Sequence, residues 1–263
     1  MQSIGFVGAG NMAGALINGL LNTGFDTEFI NVTDIDIEKC TPFTLRGVSY
    51  CKDAYELSEK SDIVFLCAKP QGFDALLPSL FVSDSKIYVS IAAGISISYI
   101  AKFLGNNAKI IRVMPNTPLL IGQGSTAISP NSNVSESEYQ MVDRIFSKLG
   151  ITVKLPENLM NEVVCTNGSM PAIVYFLIDS AIKSAQKQGV NEDDARILVS
   201  KTFVGAAQML LQSEQTPDEL IKIVASPGGT TEMAIESLKD NNIANSIHEA
   251  MAACTKRAYE LVK

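Results

Sequence analysis

The sequence predicts an α/β protein in two parts: a doubly wound, mainly parallel sheet, followed by an all-helical segment. Three observations carry this reading. Near the start, a strand, a glycine turn and a helix follow one another over residues 4–24. Short apolar runs then alternate with helical patterns up to about residue 150, the order that builds parallel strands joined by crossover helices. Near Pro156 the strand patterns stop and long helical patterns take over. The expected domains are 1–155 and 156–263.

Ile4 to Val7 is an apolar run with the length of a buried strand. Gly8, Gly10 and Ala13 then supply the small residues of a G-x-G-x-x-A turn. Met12, Leu16, Ile17, Leu20 and Leu21 recur at helical spacing, and Gly24 suits the residue that ends a helix. The physical roles are separate. Gly8 permits the tight turn, Gly10 leaves room for a pyrophosphate against the backbone, and Ala13 brings helix and sheet together. The helix N-terminus offers unpaired N–H groups and a positive dipole end to phosphates. This is the context in which a glycine fingerprint reads as a dinucleotide site.

Phe29 to Asp34 follows as the second strand. Asp34 lies where a carboxylate can hold the adenosine ribose hydroxyls of a dinucleotide, or where it merely ends a strand. Asp36 adds a second negative charge that disfavours a 2′-phosphate. Lys39 and Arg46 lie nearby without directly following the strand. The local chemistry leans to NADH or to dual use, with NADH used at least as well as NADPH.

Ser61 to Cys67 is the next buried strand, and Ala68-Lys69-Pro70 follow at its C-terminal end, where open α/β sheets bind ligands. Lys69 there meets a phosphate or ribose, or is simply solvated. Lys86 to Ile91 leads into Ala92-Ala93-Gly94, small enough for a flat ring to approach. Ala108 to Val113 precedes Met114-Pro115-Asn116-Thr117-Pro118. Ser125 to Ser129 suits an edge strand, and Ser135 to Leu149 a closing helix with a capping box from Ser135 and Glu138.

Beyond Pro156, residues 171–188 form a helical stretch with Pro171 in the first turn and Gly189 past the end. Asn191 caps the next helix, whose apolar face is Ala195, Leu198, Val199, Phe203, Ala206 and Leu210. Thr216 or Pro217 starts another, and Thr231 to Lys263 supplies the last ones. Between them lies a second glycine turn, Ser226-Pro227-Gly228-Gly229-Thr230-Thr231. It reads either as a nest for a small carboxylate or as a capped turn between helices.

Bulk properties narrow the function further. Hydrophobic residues make up 46% of the 263, which disfavours disorder, and the net charge of −7 argues against nucleic-acid or anionic-membrane partners. No apolar run reaches transmembrane length and no signal peptide precedes the first strand. The five cysteines never occur in C-x-x-C spacing and read as free thiols of a reducing cytoplasm. No metal site is expected. The one histidine, His248, lies far from any motif and reads as structural.

GFVGAGNMA, AKP, SIAAG, RVMPNTP, NGSMPA and SPGGTT, in this order, resemble pyrroline-5-carboxylate reductase along nearly the whole chain. SPGGTT with MPNTP is the specific part. The resemblance implies a Rossmann domain followed by a helical domain that interlocks with a partner subunit as a dimer or higher homo-oligomer. It implies hydride transfer from NADPH or NADH to a small-molecule substrate, 1-pyrroline-5-carboxylate, giving L-proline, in the last step of proline biosynthesis. Thr231 matches the threonine that hydrogen-bonds the pyrroline ring. Gly229 and Thr230 match the carboxylate-binding turn, with Ser226 beside it and Glu157 as an acidic residue near the substrate. The expected nucleotide contacts are Val7, Gly8, Ala9, Gly10, Asn11, Met12, Asp34, Cys67, Ala68, Lys69, Pro70, Ala92, Ala93, Gly94 and Asn116.

Two positions depart from the family loop S/T-G-S-x-P-A-Y/F: Asn167 precedes the glycine, and Ile173 replaces the aromatic. The rival readings are a β-hydroxyacid dehydrogenase-like enzyme and a non-catalytic nucleotide sensor. The first resembles enzymes with a lysine on the first interdomain helix, and residues 167–180 hold none. The second has no need of an intact SPGGTT pocket.

Overall fold

The computed structural model describes residues 2–261, so Val262 and Lys263, at the end of the stretch expected to supply the last helices, lie outside it. The chain forms two compact units. The first runs to Pro171 and resumes at Cys254, and the second is Ala172–Ala253.

In the first unit the strands are β1 (Ile4–Val7), β2 (Ile30–Thr33), β3 (Ser49–Tyr50), β4 (Ile63–Leu66), β5 (Ile87–Ser90), β6 (Lys109–Pro115), β7 (Gly124–Pro130) and β8 (Gly150–Lys154). They form one sheet in the order β3-β2-β1-β4-β5-β6-β7-β8. Every neighbouring pair is parallel except β6 and β7. The winding direction reverses between β1 and β4, which is where such sheets open a crevice at their C-terminal ends. The expected edge strand, β7, is not at the edge. It lies between β6 and β8, and the edges are β3 and β8.

Side-chain alternation explains why the sheet is covered on both faces. Phe6, Val32, Phe65, Val89 and Val113 point to one side, where α1 (Asn11–Asn22) and, later in the chain, α6 (Glu136–Ser147) contribute Leu16, Ile17, Val142 and Phe146. Val64, Leu66, Tyr88 and Ile110 point to the other. There they meet Leu57 of α3 (Ala54–Lys60), Phe73 of α4 (Phe73–Leu76) and Ile100 of α5 (Ile97–Leu104), α2 being the short turn Thr41–Thr44. Strands buried on both faces must be apolar throughout, which is why they read as continuous runs. The helix caps hold as well: Ser135 and Glu138 form the reciprocal capping box of α6.

After β8 the chain makes a π-helical turn at Val164–Gly168 and enters α7 (Met170–Lys187). The second unit continues with α8 (Glu192–Gln212), α9 (Pro217–Val224), α10 (Thr230–Asp240) and α11 (Ile243–Glu260), whose last turns, from Cys254, belong to the first unit. Asn191 caps α8 by accepting from the Asp194 N–H, and Thr216 with Glu219 forms the capping box of α9. Of the expected apolar face of α8, Ala195 is buried while Leu198 is 63% exposed. Ile197, Met209 and Leu211 on the same helix are also exposed.

Candidate active site

The two glycine turns share one feature. Each begins a helix whose N-cap is a glycine with no side-chain hydrogen bond: Gly10 for α1 and Gly229 for α10. By contrast α5, α6, α8 and α9 are all capped by a serine, threonine or asparagine side chain. At the first turn, Gly8 sits at φ +103°, and a Cβ there would lie 2.9 Å from the Cys67 carbonyl. Glycine is therefore what lets this turn run against the end of β4. A Cβ on Gly10 meets nothing within 4 Å. The N–H groups of Asn11, Met12 and Ala13 have no partner among the described residues, and the first turn of α1 carries no acidic side chain. Open space, unpaired donors and a positive dipole end thus coincide, which fits a pyrophosphate.

A cleft of about 690 Å³ opens beside this turn, and Val7, Gly8, Gly10, Asp34, Cys67, Ala68 and Lys69 line it. Ala9, Asn11, Met12, Pro70, Ala92, Ala93, Gly94 and Asn116 do not. Burial pushes the Cys67 thiol up, so it remains a neutral wall of the cleft. Sequence reasoning missed Ile35, Lys52, Ala54 and Leu76, which also line it. Ile35 is fully exposed, and its place directly after Asp34, past the C-terminal end of an apolar strand where such sheets bind ligands, is the signal that could have found it.

Asp34 is more committed than its position in the sequence suggests. Its Oδ2 accepts from the Ala9 N–H at 2.7 Å and its Oδ1 from the Asp36 N–H at 2.9 Å. The carboxylate therefore ties β2 to the fingerprint turn and starts the loop after it. Asp36 in turn accepts from the Glu38 N–H. Lys39 folds back, 3.9 Å from Asp34 and 3.5 Å from Asp36. Arg46 turns elsewhere, to Asn18 and Asn22.

The other expected contacts follow β4, β5 and β6, whose C-terminal ends share one edge of the sheet. Ala92 is buried, and a Cβ on Gly94 would lie 2.9 Å from the Leu261 backbone, so Gly94 packs on the end of α11. Asn116 is buried just past β6. Glu157 is held by structure on two sides: its Oε1 accepts from the Ile97 N–H at 2.6 Å and lies 3.7 Å from the buried Arg112 guanidinium. Arg112 also donates to Asn161. Burial lowers the pKa of Arg112, but the guanidinium stays charged at any ordinary pH.

In the second unit, Gly228 sits at φ +72° and donates to Glu232, while the Gly229 N–H donates to Ser226 O at 3.0 Å. A Cβ on Gly229 would lie 2.9 Å from the Ser226 carbonyl oxygen, a backbone atom, so the turn closes only with glycine there. The two glycine N–H groups are thus used inside the turn. The donors left without a partner among the described residues are those of Thr230, Thr231 and Glu232, at the start of α10. Thr231 is half-buried and Thr230 exposed. His248 is exposed on α11. No cluster of three or more metal-ligating side chains occurs among the described residues, and no helix there is long and apolar enough to cross a membrane.

Over 99% of its length the chain is 34% identical to pyrroline-5-carboxylate reductase 2 of Bacillus subtilis, covering 95% of that protein. The chain belongs to the pyrroline-5-carboxylate reductase family. The family model for pyrroline-5-carboxylate reductase dimerisation matches residues 157–261, and one for NADP oxidoreductase, coenzyme F420-dependent, matches 3–94. A pyrroline-5-carboxylate reductase structure from Coxiella burnetii is 30% identical, with a TM-score of 0.91 over 100% of this chain and 99% of its own. The Plasmodium falciparum pyrroline carboxylate reductase structure, with NADP bound, is 28% identical, with a TM-score of 0.90 over 100% and 98%. Family membership thus covers both the sheet unit with its fingerprint and the helical segment with SPGGTT. The helical segment belongs to a dimerisation family, so self-association is a family trait of this chain.

Proposed function

We propose that this chain reduces 1-pyrroline-5-carboxylate to L-proline with NAD(P)H, the last step of proline biosynthesis. The observation that supports this best is that a full-length reductase match coincides with two uncapped glycine turns at helix N-termini, one per unit. When bound, the cofactor supplies a hydride from nicotinamide C4 to the imine carbon of the ring. The protein binds, aligns and excludes. The N–H groups of Asn11, Met12 and Ala13 hold the pyrophosphate, and the cleft beside Gly8 and Gly10 takes the adenosine half. The N–H groups of Thr230, Thr231 and Glu232, with Ser226, hold the substrate carboxylate. Thr231 Oγ accepts a hydrogen bond from the ring N–H and so favours the protonated imine, the better hydride acceptor. Because Glu157 is bound to Arg112 and the Ile97 N–H, its contribution is to hold its own segment in place.

The finer reading keeps a nucleotide domain at 1–155 and a substrate and dimerisation domain at 156–263. It assigns the protein to the cytoplasm as a homodimer or higher homo-oligomer without nucleic-acid or membrane partners. The test is spectrophotometric: oxidation of NADH and NADPH with pyrroline-5-carboxylate, set against oxidation of 3-hydroxyisobutyrate in reverse. Turnover with the pyrroline alone is the expected result. Turnover with the hydroxyacid alone, or with neither, would overturn the proposal.

A further inference from the structure

Asn167, where the family loop has serine or threonine, lies at the centre of a buried polar knot. The π-helical turn Val164–Gly168, closed by the Ser169 N–H on Val164 O at 2.8 Å, carries it under the ends of β6 and β7. Asn167 Nδ2 donates to Met114 O at 2.5 Å and to Ser125 O at 3.0 Å. Its Oδ1 accepts from Asn116 Nδ2 at 3.1 Å and from Ser125 Oγ. Both protons and both lone pairs of the amide are used. Serine could not replace it, because one hydroxyl proton cannot serve both the Met114 and Ser125 carbonyls.

The knot fixes the polarity of Asn116. Asn116 Nδ2 donates to Asn167 Oδ1 and to Ser125 Oγ at 3.0 Å, and its Oδ1 accepts from the Ser125 N–H at 3.0 Å. Turning the amide over would set Nδ2 against the Ser125 N–H and Oδ1 against Asn167 Oδ1, two like-against-like contacts. Asn116 is therefore held with one lone pair of Oδ1 without a partner among the described residues. Its position gives that lone pair a target. Asp34 follows β2 on one side of the fingerprint strand β1, whereas Asn116 follows β6 on the other, beyond β4 and β5. A dinucleotide whose pyrophosphate sits at β1 and whose adenosine lies toward β2 carries its nicotinamide toward β4, β5 and β6. The nicotinamide carboxamide presents N–H donors that match a fixed amide oxygen.

We propose that Asn167 is a positioning residue for the nicotinamide end of the cofactor, acting through Asn116. The proposal rests on the reductase reading, and its test separates the two. In the full-length protein, the affinities of NADPH, NADH and ADP-ribose are measured by fluorescence titration for wild type, Asn167→Ala, Asn167→Ser, Asn116→Ala and the double variant Asn116→Ala/Asn167→Ala. Turnover with pyrroline-5-carboxylate is measured alongside. Asn167→Ala should weaken NADPH and NADH about tenfold, the scale of one lost polar contact, and leave ADP-ribose within about twofold. kcat should fall more than the substrate KM rises, and the double variant should be no worse than Asn116→Ala alone. Equal loss of ADP-ribose and dinucleotide, no loss of either, or additive losses in the double variant would overturn the proposal. If Asn167→Ala does not fold, Asn167→Ser is judged by the same ratios. A wild type that binds dinucleotide without reducing the pyrroline overturns the reductase reading, while the binding ratios still decide the role of Asn167.

Discussion

Thr231 is half-buried in the first turn of α10, and in the proposed reaction its hydroxyl meets the ring nitrogen while the backbone N–H groups meet the carboxylate. Thr231→Ala removes the hydroxyl together with the γ-methyl and leaves the backbone N–H groups of the helix start in place. Steady-state kinetics should show kcat/KM reduced about ten- to a hundredfold, with NAD(P)H affinity in the absence of substrate unmoved. Asp34 teaches a different lesson. The sequence suggested a ribose ligand, yet both its oxygens accept backbone N–H groups, and Lys39 stands between Asp34 and Asp36. The Lys39 pairs are half exposed and stabilise the fold little. Their effect is on the charge that a 2′-phosphate meets. With Lys39 removed, two carboxylates face that phosphate, a repulsion on the order of one to a few kcal/mol. Lys39→Ala should therefore raise the Kd of NADPH about tenfold or more and leave that of NADH within about twofold. Equal changes for both would place the phosphate elsewhere.

At the scale of elements, the uncapped start of α1 is a place where stability and binding compete. Gly10 has extended backbone, φ −71° and ψ −175°, and open space at its Cβ. Gly10→Ser would let a hydroxyl accept from the donors that the pyrophosphate needs. A serine cap should stabilise the ligand-free protein by a few tenths of a kcal/mol relative to glycine, read as a small rise in Tm. Dinucleotide affinity in the same variant should fall at least about tenfold. A variant that binds as well as wild type would mean the pyrophosphate does not use the helix start. How far such elements can be read from sequence depends on burial. β1, β2, β4, β5 and β6 were legible because strands buried on both faces are apolar runs. β3 is two exposed residues, Ser49 and Tyr50, and β8 alternates with Ile151 and Val153 outward, so neither edge left such a run. β7 lies inside the sheet and not at the expected edge; a strand's own residues carry no sign of which strands it pairs with. The π-helical turn was invisible for a related reason: one extra residue in a helical turn changes no composition, and so the four-bond role of Asn167 was hidden too.

At the scale of the whole molecule, the second unit leaves Ile197, Leu198, Leu211, Ile223 and Val224 exposed. Apolar surface of this kind is usually covered, and the dimerisation family that spans residues 157–261 says by what. Sedimentation at micromolar concentration should show at least a dimer, and Ile197→Asp should shift the distribution toward monomer. Alkaline stability is a second global property. Burial, then the negative charge of Asp34, raises the Cys40 thiol from 9.0 to about 11. The folded state thus favours the neutral thiol, so the associated stability is complete below pH 9.0 and is lost as pH rises toward 11. That loss is on the order of 2 kcal/mol, and thermal unfolding across this window should be flatter in Cys40→Ala. The return of residues 254–261 to the first unit has one more consequence. Leu261 packs on Gly94, and Tyr259 bonds to Glu162, so the nucleotide-binding unit is closed by residues that the ribosome adds more than eighty positions after Pro171. During synthesis the sheet can pair and its two faces can be covered while the unit still lacks its closing turns. The helical segment must emerge, and α11 must be made, before Gly94 and Glu162 gain these partners and the first unit is complete.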